Sequence, residues 1–322
     1  MPVSIIERFG GMLGSVAQSQ RTPPPVDAAV DTLEPESEPD LIERVAARRA
    51  ERSGFAPDTD FPDSAAAASP AAPARRTLRS FDIDLERLRS HSILTPDGKR
   101  SAIGEGFRRV KRHILANIAS AEPNAPANLV MMTSPLAHEG KTFCAINLAI
   151  SLAMEMDRTV LLVDADVAKP SLPGVLGFDK ANQGLMDVLL HRDAELADVL
   201  CKTNIEKLTI LPAGKGSHHA TEVLGSDAMR GMLQEMAERY GDRIIVFDSP
   251  PLLAASEASA LAAGMGQIVM VVESGKTTEG ALKDALARIE SCRVVGLLLN
   301  KVDGPGLGYG GYGYGYGYGY GS

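Results

Sequence analysis

Between Asn128 and about Asp303 the chain alternates short apolar runs with stretches of helical periodicity. The runs are LVMMTS (129–134), TVLLVDAD (159–166), KLTILPA (207–213), RIIVFDS (243–249), QIVMVVE (267–273) and VVGLLLN (294–300). Each is close to continuously hydrophobic, the pattern of strands buried on both faces. Amphipathic stretches lie between most of them: Lys141 to Met156, Gly184 to Leu190, Thr221 to Tyr240, Glu257 to Ala263 and Thr278 to Cys292. Strands alternating with helices predict an α/β domain over residues 127–304, a mostly parallel sheet covered by helices on both faces.

The flanks follow other rules. Residues 79–126 read as a helical segment for packing and oligomerisation: FDIDLERLRSHSIL, a turn at Pro96-Asp97-Gly98, then GEGFRRVKRHILANI. In the last stretch Phe107, Val110, Ile114, Leu115 and Ile118 mark one apolar face, with Arg108, Arg109, Lys111 and Arg112 around it. Residues 1–78 hold half of the 20 prolines, an alanine tract and alternating charge blocks. Such a stretch buries too little apolar area to offset chain entropy, so a largely disordered leader is expected, with short helices such as Leu41 to Arg52. At its start Ile5, Ile6, Phe9, Met12, Leu13 and Val16 stand at roughly helical spacing, which fits a short amphipathic segment or a frayed terminus. Residues 305–322 repeat Gly and Tyr without charge and read as a flexible tail.

Composition narrows the function. Lys plus Arg is 33 and Asp plus Glu 41, a net charge of −8, which argues against nucleic acid as a partner. No apolar run reaches the roughly 18–20 residues that cross a membrane. Cys144, Cys201 and Cys292 are far apart, without metal-ligand spacing, as in reduced cytosolic proteins. Tyrosine is distributed unevenly: of seven, only Tyr240 lies in the body, and Tyr309, Tyr312, Tyr314, Tyr316, Tyr318 and Tyr320 crowd the last fourteen residues.

The chemistry concentrates in TSPLAHEGKT (133–142), which follows the first strand and opens a helix, the context a P-loop requires. Backbone N–H groups there wrap phosphate, aided by the helix dipole. Ser134, Glu139, Gly140, Lys141, Thr142 and Phe143 are the expected ATP-binding segment, with Lys141 bridging the β- and γ-oxygens and the Thr142 hydroxyl on Mg²⁺. Pro135 stands where the motif GxxxxGK[ST] has its first glycine, and His138 stands where such loops favour glycine. The second strand ends in Asp164-Ala-Asp166 and the fourth in Asp248. In a parallel sheet these carboxylates fall on the ligand-binding edge, where they can hold Mg²⁺ directly or through water.

Together these residues resemble the bacterial tyrosine kinases of exopolysaccharide systems. The counterparts of that family's Walker A, Walker A′ and Walker B segments are Ser134 to Thr142, Leu161 to Asp166 and Ile244 to Asp248, with a tyrosine cluster at Tyr309 to Tyr320. GLMDVL (184–189), LPAGKG (211–216) and TEVLGS (221–226) are similar too, and the likeness leans toward the exosortase-linked members. The resemblance implies a P-loop autokinase using ATP and Mg²⁺. Lys141, Asp164 and Asp166 would be catalytic, either aspartate taking the tyrosine proton, while Thr142, Asp164 and Asp248 serve the metal and the tail tyrosines accept phosphate. Asn300, at the last strand tip, is a candidate for adenine or a plain strand-end cap. The family's oligomerisation pattern ExxRxxR reads here as Glu105, Arg108 and Lys111, with Arg109 and Arg112 beside it. A ring-like homo-oligomer follows, with a separate membrane-spanning polysaccharide co-polymerase as activator and a cognate tyrosine phosphatase. The expected location is cytoplasmic, at the inner face of the membrane. Two rival readings share the fold: a partition or division-site ATPase, whose signature lysine position is here Leu136, and a nucleotide-sensing adaptor.

Overall fold

The computed structural model describes residues 4–6, 79–98, 100–178, 183–191, 194–216, 220–292 and 294–302. The expected leader helix at 41–52 and the tail from 305 lie outside these residues. The strands are β1 (Ser4–Ile6), β2 (Arg79–Phe81), β3 (Leu129–Thr133), β4 (Thr159–Asp164), β5 (Cys201–Thr203), β6 (Leu208–Leu211), β7 (Arg243–Asp248), β8 (Gln267–Glu273) and β9 (Val295–Asn300). The helices are α1 (Leu85–Ser90), α2 (Ala102–Ala119), α3 (Lys141–Ala153), α4 (Leu172–Leu176), α5 (Leu185–Leu190), α6 (Leu196–Val199), α7 (Ala220–Leu224), α8 (Asp227–Arg239), α9 (Ser256–Ala262) and α10 (Glu279–Ala287).

The strands form one sheet in the order β1-β9-β8-β3-β7-β4-β6-β5-β2. The six central strands, β9 through β6, are all parallel to their neighbours. At the two sides β5 is antiparallel to β6 and β1 is antiparallel to β9. Successive side chains of a strand point to opposite faces, so each hydrophobic strand feeds two cores. Leu129, Met131, Leu161 and Phe247 pack with Met229, Met236 and Leu261 of α8 and α9. Val130, Met132, Leu162 and Val246 pack on the opposite face with Ile146 and Ile150 of α3. Above α3 lies α2, whose Phe107, Val110 and Ile114 are buried as its apolar spacing predicts, and whose start is capped by Ser101 accepting from the Gly104 amide.

Three readings need correction. Ile5 and Ile6 sit not on a helix-spaced face but in β1, paired with Leu298 and Leu297 of the sheet edge. The stretch Thr221 to Tyr240 is two helices. Gly225 and Ser226 separate them, and the Ser226 hydroxyl accepts from the Met229 amide at 3.3 Å and starts α8 afresh. The short strands β2 and β5 carry no apolar run and were not expected. The tight turn at 96–98 is present, with the Gly98 amide donating to the Thr95 carbonyl at 2.9 Å.

Candidate active site

The order β3-β7-β4 places three consecutive strand tips together, and with them the P-loop, Asp248 and Asp164. The register is direct: Asp248 lies opposite Met132 on one side and opposite Asp164 on the other. The loop leaving β3 is tied to the segment leaving β7. Leu252 and Leu253 donate their amides to the carbonyls of Ser134 and Pro135 at 2.8 and 3.1 Å. Pro135 replaces glycine without strain because the backbone there does not need a positive φ. The positive angles fall instead at His138 (68°) and Gly140 (94°). Gly140 is the residue that cannot change: a Cβ there would come within 2.2 Å of the Asn300 side-chain nitrogen. Among the described residues, the amides of Glu139, Gly140, Lys141 and Thr142 donate to no protein acceptor, which leaves a row of N–H groups at a helix N-terminus for phosphate.

Around this cradle the charged side chains converge. Lys141 Nζ donates to Asp166 Oδ2 at 2.8 Å, and both side chains are largely buried. Burial works against the ammonium charge, but Asp248, Asp166 and Asp164 outweigh it and hold the lysine above its ordinary pKa. Thr142 Oγ1 donates to Asp248 Oδ2 at 2.7 Å and meets Ser171 Oγ at 2.8 Å. Asp164 Oδ2 accepts from the Leu172 amide at 3.3 Å. Asp164 and Asp248 are fully buried, and the Oδ1 atom of each has no hydrogen-bond partner. Burial, with their mutual repulsion, pushes the Asp164 carboxyl well above the usual carboxylate range. Burial pushes Asp248 up to about 6 although Lys141 and Thr142 act in the other direction. Two unsatisfied buried carboxylate oxygens beside a threonine hydroxyl are the donor set a divalent cation would relieve. No larger group of His, Cys, Asp and Glu gathers as a metal cage among the described residues. That sparse set suits Mg²⁺, which keeps waters and shares phosphate oxygens.

The other expected site residues divide. Ser134 is buried and its hydroxyl donates to the Leu136 carbonyl at 2.6 Å, bracing the loop. The Glu139 carboxylate accepts from the Leu136 amide at 2.7 Å and from the Thr277 hydroxyl, so its side chain shapes the loop. The Phe143 ring packs edge-on against Phe107, which leaves only its backbone for the nucleotide. Asn300 donates its side-chain amide to the Glu139 carbonyl at 2.9 Å, a strand-end contact on the P-loop. In α2, Arg108 pairs within its own helix with Glu105, and Lys111 reaches Glu155 and the Ser151 carbonyl, while Arg109 and Arg112 are exposed. The six tail tyrosines lie outside the described residues. Ser171 was missed. Its only trace in the sequence is a hydroxyl residue shortly after the Asp164-Ala-Asp166 strand end.

A parallel sheet with a P-loop after its central strand, and carboxylates on the two strands beyond, defines a nucleotide-binding protein of the P-loop class. A family model described as an AAA domain matches residues 138–294. The chain is 32% identical over 192 residues to the tyrosine-protein kinase YwqD of Bacillus subtilis, covering 59% of this chain and 78% of that protein. It is 31% identical over 217 residues to the succinoglycan biosynthesis transport protein ExoP of Rhizobium meliloti, covering 66% of this chain but only 26% of that longer protein. Among solved structures, the kinase domain of the Escherichia coli tyrosine kinase ETK superposes with a TM-score of 0.59 at 25% identity, covering 75% of this chain and 89% of that one. The chain belongs to the bacterial tyrosine kinases, ATP-dependent phosphotransferases that act on protein tyrosine.

Proposed function

We propose that this chain transfers the γ-phosphoryl group of ATP to tyrosines of its own tail, Tyr309, Tyr312, Tyr314, Tyr316, Tyr318 and Tyr320, and thereby regulates exopolysaccharide polymerisation and export. The carrying observation is the convergence of Lys141, Thr142, Asp164, Asp166 and Asp248 on one sheet edge, in a chain that ends in tyrosines set between glycines. In this reading the tyrosine oxygen attacks the γ-phosphorus, the bond to the β–γ bridging oxygen breaks, and ADP leaves. The phenolic proton passes to the Asp164/Asp166 pair. Lys141 leaves Asp166 for the β- and γ-oxygens, and the free loop amides hold the β-phosphate. Mg²⁺, when held by Thr142, Asp164 and Asp248, supplies charge neutralisation. Such transfer depends on positioning and electrostatics more than on a strong nucleophile.

Glycine on both sides of each tyrosine removes side-chain obstruction, so any of them can enter the cleft of a neighbouring copy. The partners in this reading are further copies of the chain in a ring, a separate membrane-spanning co-polymerase that activates it, and a tyrosine phosphatase. In this reading the chain works in the cytoplasm at the membrane face. Among the described residues no helix is long and apolar enough to cross a membrane. Against a partition-type ATPase stands Leu136, exposed at the loop tip where that class places its lysine.

The test is anti-phosphotyrosine detection on purified protein incubated with Mg-ATP. Wild type should label in the tail and Lys141→Met should lose at least ~100-fold of the signal, the scale of a removed transition-state charge contact. Normal ATP turnover without tyrosine labelling would point to the switch ATPase. Undiminished label in Lys141→Met would assign the phosphate to another enzyme.

A further inference from the structure

The tail root touches the P-loop from behind. β9 ends at Asn300, whose side chain is buried and donates to the Glu139 carbonyl at 2.9 Å. The next residue, Lys301, turns into the left-handed region at φ 54°, and its Nζ donates to the His138 carbonyl at 2.6 Å. Lys301 also pairs with Glu273 Oε2, at the end of β8, at 3.1 Å. Two consecutive residues at the foot of the tail therefore hold two consecutive carbonyls of the phosphate loop.

The peptide unit is planar and trans, so its C=O and the following N–H point in opposite directions. Fixing the His138 carbonyl outward aims the Glu139 N–H inward, and fixing the Glu139 carbonyl does the same for the Gly140 N–H. Those amides belong to the row that donates to no protein acceptor among the described residues. His138 holds a positive φ of 68°, an uncommon state for a residue with a side chain, and the Lys301 contact is what secures its carbonyl.

We propose that Lys301, together with Asn300, is a positioning residue for nucleotide: it sets the orientation of the P-loop amides toward phosphate, so that the root of the tail doubles as the brace of the ATP site. This rests on the nucleotide site described above and deepens that reading, but its test reads nucleotide binding alone and is independent of tyrosine transfer.

The side chain of Lys301 is partly exposed, so Lys301→Met removes the contact without opening the core. Full-length Lys301→Met, Lys301→Arg and wild type are titrated with Mg-ADP and Mg-ATP by calorimetry, and the melting temperature of each is measured without nucleotide. Loss of a charge-assisted bond to a carbonyl predicts about tenfold weaker Mg-nucleotide binding in Lys301→Met, with the nucleotide-free melting temperature close to wild type. Lys301→Arg, which keeps a charged donor, should recover most of the affinity. The tenfold loss should persist at high salt, because an amide orientation is not screened whereas a distant charge is. Affinity within twofold of wild type would overturn the proposal. So would a loss that vanishes at high salt, or one matched by a comparable fall in the nucleotide-free melting temperature.

Discussion

Asp164 and Asp248 lie side by side on adjacent strands, fully buried, each with one oxygen unpartnered. Their folded-state proton affinities are raised, that of Asp248 to about 6, above the ordinary value of 3.8 that the unfolded chain retains. The folded protein thus binds protons more tightly than the unfolded one, and the sign follows from linkage. Each aspartate contributes fully to stability below the unfolded value and loses that contribution as pH rises through its folded value, about 6 for Asp248. Without nucleotide, in EDTA, unfolding free energy from urea titration should fall more steeply between pH 5 and 7.5 in wild type than in Asp164→Asn. Asp164→Asn should be the more stable protein at pH 7.5, and Mg²⁺ should help wild type more than the variant. Equal pH slopes in the two proteins would refute the account. Lys141, Thr142 and the strand-end aspartates were legible because each belongs to a pattern with a fixed place on the sheet. Ser171 and Lys301 belong to none: they reach the site through turns whose geometry no local spacing encodes.

Elements were legible in proportion to the hydrophobic burial that forms them. The strands β3, β4, β7 and β8 are buried on both faces for most of their length and β9 is half-buried, and their continuous apolar runs mark all five to within about two residues. β1, β2 and β5 are three-residue strands toward the sides of the sheet, β2 and β5 held by pairing more than by burial, and three residues carry no period. The helix after β6 was read through Gly225-Ser226 because its apolar spacing persists across the break, while the Ser226 cap is a local bond. One junction joins elements with almost no spare volume. The amides of Leu185 and Met186 at the start of α5 donate to the Pro212 and Ala213 carbonyls beyond β6, at 2.8 and 3.0 Å. A Cβ on Gly184 would fall 2.1 Å from the Pro212 oxygen and 2.5 Å from the Gly214 nitrogen. Both obstacles are backbone, so no side chain can swing away. Gly184→Ala should cost about 1–3 kcal/mol in urea unfolding, whereas Gly231→Ala, which meets nothing within 4 Å, should cost nothing or stabilise α8 slightly. Equal effects at the two glycines would mean that the joint is looser than its distances imply.

At the scale of the molecule, the ring and tail phosphorylation proposed above raise the question of how modification of the tail would alter such an assembly. The chain carries a net charge of −8, and each phosphotyrosine adds roughly −1.5 to −2. Six phosphates therefore add about −9 to −12, more than the existing net charge, at one end of the sequence. The structure separates the basic residues of α2 by what they already hold. Arg108 and Lys111 are engaged within the chain, whereas Arg109 and Arg112 are exposed and, among the described residues, pair with no acid, so an acidic neighbour would meet them. A single exposed ion pair is worth less than about 1 kcal/mol, yet a ring repeats the contact at every interface and closes only if all hold. The assembly should then be steeply sensitive to charge. In sedimentation velocity at moderate salt, unphosphorylated wild type should form a closed oligomer that dissociates on incubation with Mg-ATP. A variant with all six tail tyrosines changed to phenylalanine should stay assembled under the same conditions. Arg109→Ala with Arg112→Ala should be monomeric throughout while binding Mg-ATP with wild-type affinity, since neither residue touches the P-loop. An oligomer that keeps its mass after full tail phosphorylation would show that the added charge does not reach the interface. An assembled double-arginine variant would move the interface elsewhere than α2.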